Sequence, residues 1–315
     1  MKKSFYSHGK LLLTAEYLVL DSIEALALPC RKGQWLFVEE NDTNQIHWKS
    51  IDEEGNCWFE TEINLPLESV TKDEPSTDPT LSDEEGLGIT ETLLEILIAA
   101  KELNPNFLSS DKGYIVETRL EFHREWGLGS SSTLINNIAQ WAKVDAFALL
   151  DNSFRGSGYD IACAQHDVPI LYNRNEGRPT IKEVSFDPSF KENLFFIYLN
   201  QKQDSKASIK HYQSLPLKDF DKAAATITEI THKMLDCSSL HEFETLLASH
   251  EEIISKIIKT PTVKSVLFSD YPGSVKSLGG WGGDFVLVTG SKNETSYFIE
   301  KGYTTIIPYS EMVLQ

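Results

Sequence analysis

The stretch Glu125-Trp126-Gly127-Leu128-Gly129-Ser130-Ser131-Ser132-Thr133 decides how this chain is read. It lies between two segments of different hydrophobic period. Upstream, Tyr114, Val116, Thr118, Leu120 and Phe122 alternate over 113–122, which predicts a strand. Downstream, Leu134, Ile138, Trp141 and Ala142 recur at helical spacing, which predicts a helix over about 131–150 that Ala148 extends. Gly127 and Gly129 permit left-handed backbone and close approach of a ligand to the main chain. The serines fall where the helix begins. Unpaired N–H groups and the positive end of the helix dipole make an anion site there, and the hydroxyls of Ser130, Ser131 or Ser132 can ligate Mg²⁺. Read without a ligand, the same serines are helix caps. The loop is not a P-loop, because no Gly-Lys-Ser/Thr follows its glycines.

Working outward, 11–20 reads as a strand or buried apolar element, and 34–40 and 57–63 read as strands. An acidic, Pro-containing segment over 68–86 reads as a mobile loop, followed by a helix at roughly 90–103 through Leu93, Leu94, Leu97 and Ile98. A second glycine turn precedes Asp160-Ile161-Ala162. After Pro188 the pattern changes. The unbroken apolar run Leu194-Phe195-Phe196-Ile197-Tyr198-Leu199 predicts a buried strand, and helices are expected near 218–236 and 239–259. A glycine-rich turn at 279–283 leads into a strand at 285–289, a helix near 293–301 and a last strand at 303–307. The change near 185–193 predicts two domains, 1–188 and 189–315. That division agrees with a length of 315 residues, past the ~250–300 at which single cores stop growing.

The net charge of −18 disfavours nucleic acid and anionic membranes as partners. It also means that any phosphate site must be rebuilt locally from lysine, backbone N–H groups and metal. Cys30, Cys57, Cys163 and Cys237 are scattered with no C-x-x-C, as expected of reduced thiols in a cytoplasmic protein. The first residues hold no apolar core long enough for a secretory signal, and no run is long and apolar enough to span a membrane. The expected partner is a small-molecule substrate, with a homodimer as a candidate assembly.

Gly127-Leu128-Gly129-Ser130-Ser131-Ser132, opening a helix, resembles the second signature motif of the GHMP kinases. Gly9-Lys10-Leu11-Leu12-Leu13-Thr14-Ala15-Glu16-Tyr17-Leu18-Val19-Leu20 is similar to the first, in the form used by mevalonate-pathway members. Ser277-Leu278-Gly279-Gly280-Trp281-Gly282-Gly283-Asp284 resembles the third, glycine-rich motif, and its final acidic residue is similar to that of phosphomevalonate kinases. Ser157-Gly158-Tyr159-Asp160-Ile161-Ala162 matches the Ser-Gly-x-Asp segment of mevalonate kinases and the Gly-Tyr-Asp-Ile-Ala string of a bacterial subgroup. The likeness covers nearly the whole chain, with the motifs in family order.

The resemblance implies an α+β fold of two domains, an N-terminal βαβ-type domain and a C-terminal ferredoxin-like one, with the site in the cleft between them. It implies transfer of the γ-phosphate of ATP, with Mg²⁺, to mevalonate or a close relative. Asp160 would accept the substrate hydroxyl proton, and Lys10, at the start of the first strand, would stabilise charge near the attacking oxygen. Residues 127–132 would hold the nucleotide, and Ser131 would reach the metal. Gly279, Gly280, Gly282 and Gly283 would lie against substrate or phosphates. Without that context, Asp160 reads as a turn residue, Lys10 as a solvated lysine and the glycines as a tight turn. Lys202 and Lys206 follow the Leu194–Leu199 strand and suit an anionic acceptor; read alone, they are solvated lysines.

The chain departs from the family pattern at four places. His123 stands at a position where proline is usual, while Trp126 and Trp281 replace small residues. Leu149 occupies the position of the metal-binding glutamate of mevalonate kinases, leaving Asp145 or Asp151 as substitutes or as helix-surface charges. A phosphomevalonate kinase is the nearest alternative, favoured by Asp284, Lys202 and Lys206. A GHMP-fold protein that binds a ligand without catalysis is the rival of another class.

Overall fold

The computed structural model describes residues 2–67, 83–154, 156–175, 178–216 and 220–314, apart from the side chains of 83–87 and 205–206. Most of the acidic loop expected over 68–86 lies outside these residues. Its end is helical instead, because the helix runs Asp83–Leu103 and begins earlier than its apolar spacing suggests. Chain contacts divide the protein into two compact units. The first comprises Met1–Gly9, Lys32–Arg124 and Gly129–Gln165, and the second Lys10–Arg31, Glu125–Leu128 and His166–Gln315.

Strands β1 (Lys3–Leu12) and β2 (Ala25–Asn41) contribute to both units, while β3 (Gln45–Ile51), β4 (Cys57–Asn64) and β5 (Gly113–Leu120) belong to the first. These last pair in the order β4-β3-β5-β2. The β3–β5 pairing is parallel and its neighbours are antiparallel. Parallel neighbours need a long crossover, and the helix Asp83–Leu103 lies in that connection. Tyr114, Val116, Thr118 and Leu120 all point inward, as their alternation predicts. Tyr114 and Val116 join Trp48, Leu97, Ile138 and Leu149 in one apolar core.

The helix expected over 131–150 is two helices, Ser130–Ala142 and Ala146–Asn152. Lys143 turns left-handed at φ +57° and closes the first. The Asp145 carboxylate accepts the Phe147 N–H at 3.1 Å and opens the second. The apolar spacing continues across this break, which is why periodicity alone does not show it.

In the second unit, β6 (Ile170–Asn173) pairs with the start of β2 and with β7 (Thr180–Glu183). Strands β8 (Leu194–Tyr198), β9 (Val275–Ser277), β10 (Phe285–Thr289) and β11 (Ile306–Pro308) form an antiparallel sheet in the order β11-β8-β10-β9. Strands β8 and β10 are buried along their whole length. The helices Phe220–Asp236 and Leu240–Ile258 pack on each other, and the second packs on β9. No helix among the described residues is long and apolar enough to cross a membrane.

Candidate active site

The serine end of the phosphate loop lies in the first unit. Gly129, left-handed at φ +88°, is the N-cap of the helix Ser130–Ala142, and no side chain caps it. The serines therefore occupy the first turn instead of capping, and the helix N-terminus is left to main-chain N–H groups. The Ser132 hydroxyl donates to Oδ2 of Asp160 at 2.9 Å. Asp160 lies in the first turn of the helix Tyr159–Gln165, directly after Gly158 at φ +84°. Two motifs separated in sequence thus meet through a hydroxyl and a carboxylate. A buried polar network sets the direction of the serine helix: Thr133 donates to Gln34 Oε1 at 2.7 Å, Asn137 to Gln34 O at 2.9 Å, and Ser7 to Asn137 at 2.8 Å.

The glycine end of the loop lies in the second unit with Lys10. Strand β1 begins at Lys3, so Lys10 stands near its end, not at its start. The Lys10 N–H donates to the Leu128 carbonyl at 3.0 Å, tying the first motif to the second. A small cavity is lined by Lys10, Trp126, Gly127, Gly279, Asp284 and Phe285, with three further apolar residues. Trp126 packs edge-on against Phe285, with ring centres 5.5 Å apart, so the residue that departs from the family pattern forms a wall of the cavity.

The third glycine loop is shaped by the segment after β8. A Cβ on Gly280 would come within 2.9 Å of the Gln203 side chain, and one on Gly283 within 2.9 Å of the Gln201 carbonyl. Gln203 closes the contact by donating to the Trp281 carbonyl at 2.8 Å. Gly279 and Gly282 are left-handed at φ +66° and +90°. The Trp281 side chain is buried. Lys202 is exposed, and the side chain of Lys206 lies outside the described residues. Burial pushes the Asp284 carboxyl above its ordinary range, opposed by the Gln203 N–H and by the charges of Lys10 and Lys202.

Among the described residues, neither aspartate expected to stand in for a metal-binding glutamate joins a cluster of metal-ligating side chains. Leu149 is a core residue, Asp145 is occupied as a helix cap, and Asp151 is exposed. Among the described residues, no three His, Cys, Asp or Glu side chains converge as a metal site. The oxygen donors of Asp160 and Ser132 are hard and suit Mg²⁺, which keeps several waters and binds through one or two carboxylates plus substrate phosphates.

A charged cluster buried in the second unit was not foreseen. Lys276, in β9, pairs with Glu16 and stands 3.5 Å from Glu251. Ser277 donates to Glu251 at 3.1 Å, and the Ala15 N–H donates to His250 Nε2 at 3.0 Å. Because Nε2 accepts that hydrogen bond through its lone pair, the imidazole is neutral, and its 3.4 Å approach to Glu16 is not an ion pair. Burial holds His250 well below its ordinary pKa, and burial pushes Glu16 up to about 7 against the pull of Lys276. The sequence signal was a charged residue inside each apolar motif: Glu16 among the leucines of the first, and Lys276 beside Val275 before the third.

These elements compose the two-domain α+β fold of the GHMP kinases. Among solved structures with that fold, the chain resembles the mevalonate kinase of Methanococcus jannaschii, with a TM-score of 0.71 at 13% identity over 98% of this chain and 97% of that one. It resembles Streptococcus pneumoniae phosphomevalonate kinase, solved with phosphomevalonate and AMPPNP, with a TM-score of 0.67 at 13% identity over 96% and 99% of the two chains. It also resembles Lactococcus lactis galactokinase, solved with galactose, with a TM-score of 0.67 at 11% identity over 99% and 93%. No protein-family model matches the chain. No curated protein matches it either.

Proposed function

We propose that this protein is an ATP-dependent small-molecule kinase whose acceptor is mevalonate or a close relative. The observation that carries the reading is the 2.9 Å bond from Ser132 to Asp160. It joins a helix N-terminus suited to phosphate with a carboxylate suited to take a proton. Phosphoryl transfer needs positioning and charge neutralisation more than covalent chemistry. The N–H groups of 130–132 orient the phosphates, and Asp160 accepts the acceptor's hydroxyl proton. Lys10 lowers the proton affinity of the attacking oxygen. Mg²⁺, when bound, would neutralise phosphate charge and would be held by Ser131, the ATP phosphates and water, with Ser132 and Asp160 as further oxygen donors.

Phosphomevalonate as acceptor is the second reading, supported by the likeness of the Gly283-Asp284 end of the third motif to phosphomevalonate kinases and by the exposed Lys202 cation. ADP release with Mg-ATP, measured against mevalonate, phosphomevalonate, galactose and homoserine, tests both. The proposal expects the highest kcat/KM with mevalonate, and the second reading expects it with phosphomevalonate. Tight binding of these compounds without ADP release would instead mark a ligand-binding protein.

A further inference from the structure

The seat facing the first glycine of the phosphate loop is already filled, and the occupant is a carboxylate of the protein itself. Asp284 is only 8% exposed and adopts a left-handed φ of +52°. Aspartate and asparagine tolerate that conformation better than most side chains. Three hydrogen bonds from the segment after β8 hold it there. The Leu199 N–H donates to its carbonyl at 2.8 Å, its own N–H donates to Gln201 O at 2.7 Å, and the Gln203 N–H donates to Oδ1 at 3.1 Å.

The carboxylate lies against Gly127 so closely that a Cβ there would come within 2.6 Å of Oδ1, and Oδ2 lies 3.8 Å from the equivalent point on Gly279. Lys10 lines the same cavity, and burial, which pushes the carboxyl up, is opposed there by the Gln203 N–H and by the charges of Lys10 and Lys202. A main-chain N–H, two bare glycine faces and a lysine lining the same cavity are surroundings that a phosphate oxygen would take.

We propose that Asp284 is a specificity residue. It occupies this anion seat with its own carboxylate, so that a phosphoryl ligand enters only by displacing it. The competition is intramolecular, so the carboxylate is always present at high effective concentration. Small free anions lose to it. A ligand wins only if it brings further contacts of its own, as a nucleoside polyphosphate does. The inference rests on the reading of Gly127 and Gly279 as a phosphate site and not on the identity of the acceptor.

The test is isothermal titration of pyrophosphate into the full chain at pH 7.5, comparing wild type with Asp284→Asn and Asp284→Gly. Asparagine keeps the shape, and glycine suits the left-handed backbone, so the pair guards against misfolding of either one. Thermal melting verifies that each is folded. Both variants are expected to bind pyrophosphate at least ~10-fold more tightly than wild type, because a like charge facing the ligand is gone. Adding Lys10→Met is expected to reverse the gain. Equal or weaker binding by the variants overturns the proposal and makes Asp284 a support for Lys10 or the loop. If no form binds pyrophosphate while Mg-ATP still raises the melting temperature, this inference fails and the kinase reading stands. If Mg-ATP has no effect either, the phosphate-site reading itself fails.

Discussion

Removing the ammonium of Lys276 tests how the buried cluster holds the second unit together. Lys276→Met keeps an unbranched apolar stem and deletes the charge. Its nitrogen pairs with Glu16 and stands 3.5 Å from Glu251. At an effective dielectric of about 20, a unit pair at that distance is worth ~5 kcal/mol before desolvation is subtracted. Breaking a buried pair by deleting one partner typically costs ~3–5 kcal/mol, since the other charge stays buried alone. Lys276→Met is therefore expected to lose about 3–5 kcal/mol at pH 8 by equilibrium urea unfolding.

The loss should depend on pH. Burial raises both carboxyls, Glu16 to about 7 from an ordinary 4.5, so the folded state holds their protons more tightly than the unfolded chain does. The penalty for an ionised carboxyl is then fully present above the folded value and is relieved as pH falls through about 7 towards 4.5. Without Lys276 both values move further up, so acid relieves the variant more than it relieves wild type. His250 adds to the trend, because Lys276 helps to hold its pKa down. The deficit should shrink by at least ~1 kcal/mol between pH 8 and pH 5.5. A deficit under ~1 kcal/mol at pH 8, or one that does not change with pH, would refute the reasoning.

Three further outcomes are expected. Lys10→Met should lower kcat by ~10²-fold or more, as deletion of a charge-stabilising group does, with its melting temperature close to wild type. Gly127→Ala should destabilise the fold by ~1–2 kcal/mol in urea unfolding, because φ is +66° and the new methyl would meet the Asp284 carboxylate. It should also weaken Mg-ATP in a melting assay. Replacing Lys202 and Lys206 together by alanine should raise KM for an anionic acceptor and leave KM for ATP unchanged, and equal KM values would return both to the solvated surface.

Much of the fold was legible because the decisive motifs are local. The alternation from Tyr114 to Leu120, the turn at Gly127 and Gly129 and the helical spacing after Ser130 all lie within a short stretch, and the strand, the turn and the start of the helix formed as expected. Where local signals overlapped, reading failed. The apolar spacing runs through Lys143, and only a left-handed residue followed by an Asp145 cap divides the helix. Strand β3 carries its own alternation, with Ile46, Trp48 and Ser50 inward, yet its polar outer face hid it. Strands β6 and β7 are too short to show a period. For the candidate site, sequence brought the motifs together as a list but not as contacts. The meeting of Ser132 with Asp160, the seating of Asp284 against Gly127 and the Glu16–Lys276 pair all join residues far apart in the chain, and no pattern within one segment encodes them.

The most direct test of the account is to follow the phosphate itself. Wild type and Asp160→Asn would each be incubated with Mg-ATP labelled at the γ-position and mevalonate, and the products resolved by mass. The account predicts one labelled phosphomevalonate for each ADP formed by wild type. It predicts that the asparagine variant is slower by at least ~10², the usual contribution of a general base, while melting at the same temperature. Label found only in inorganic phosphate, or a fully active Asp160→Asn variant, would contradict it.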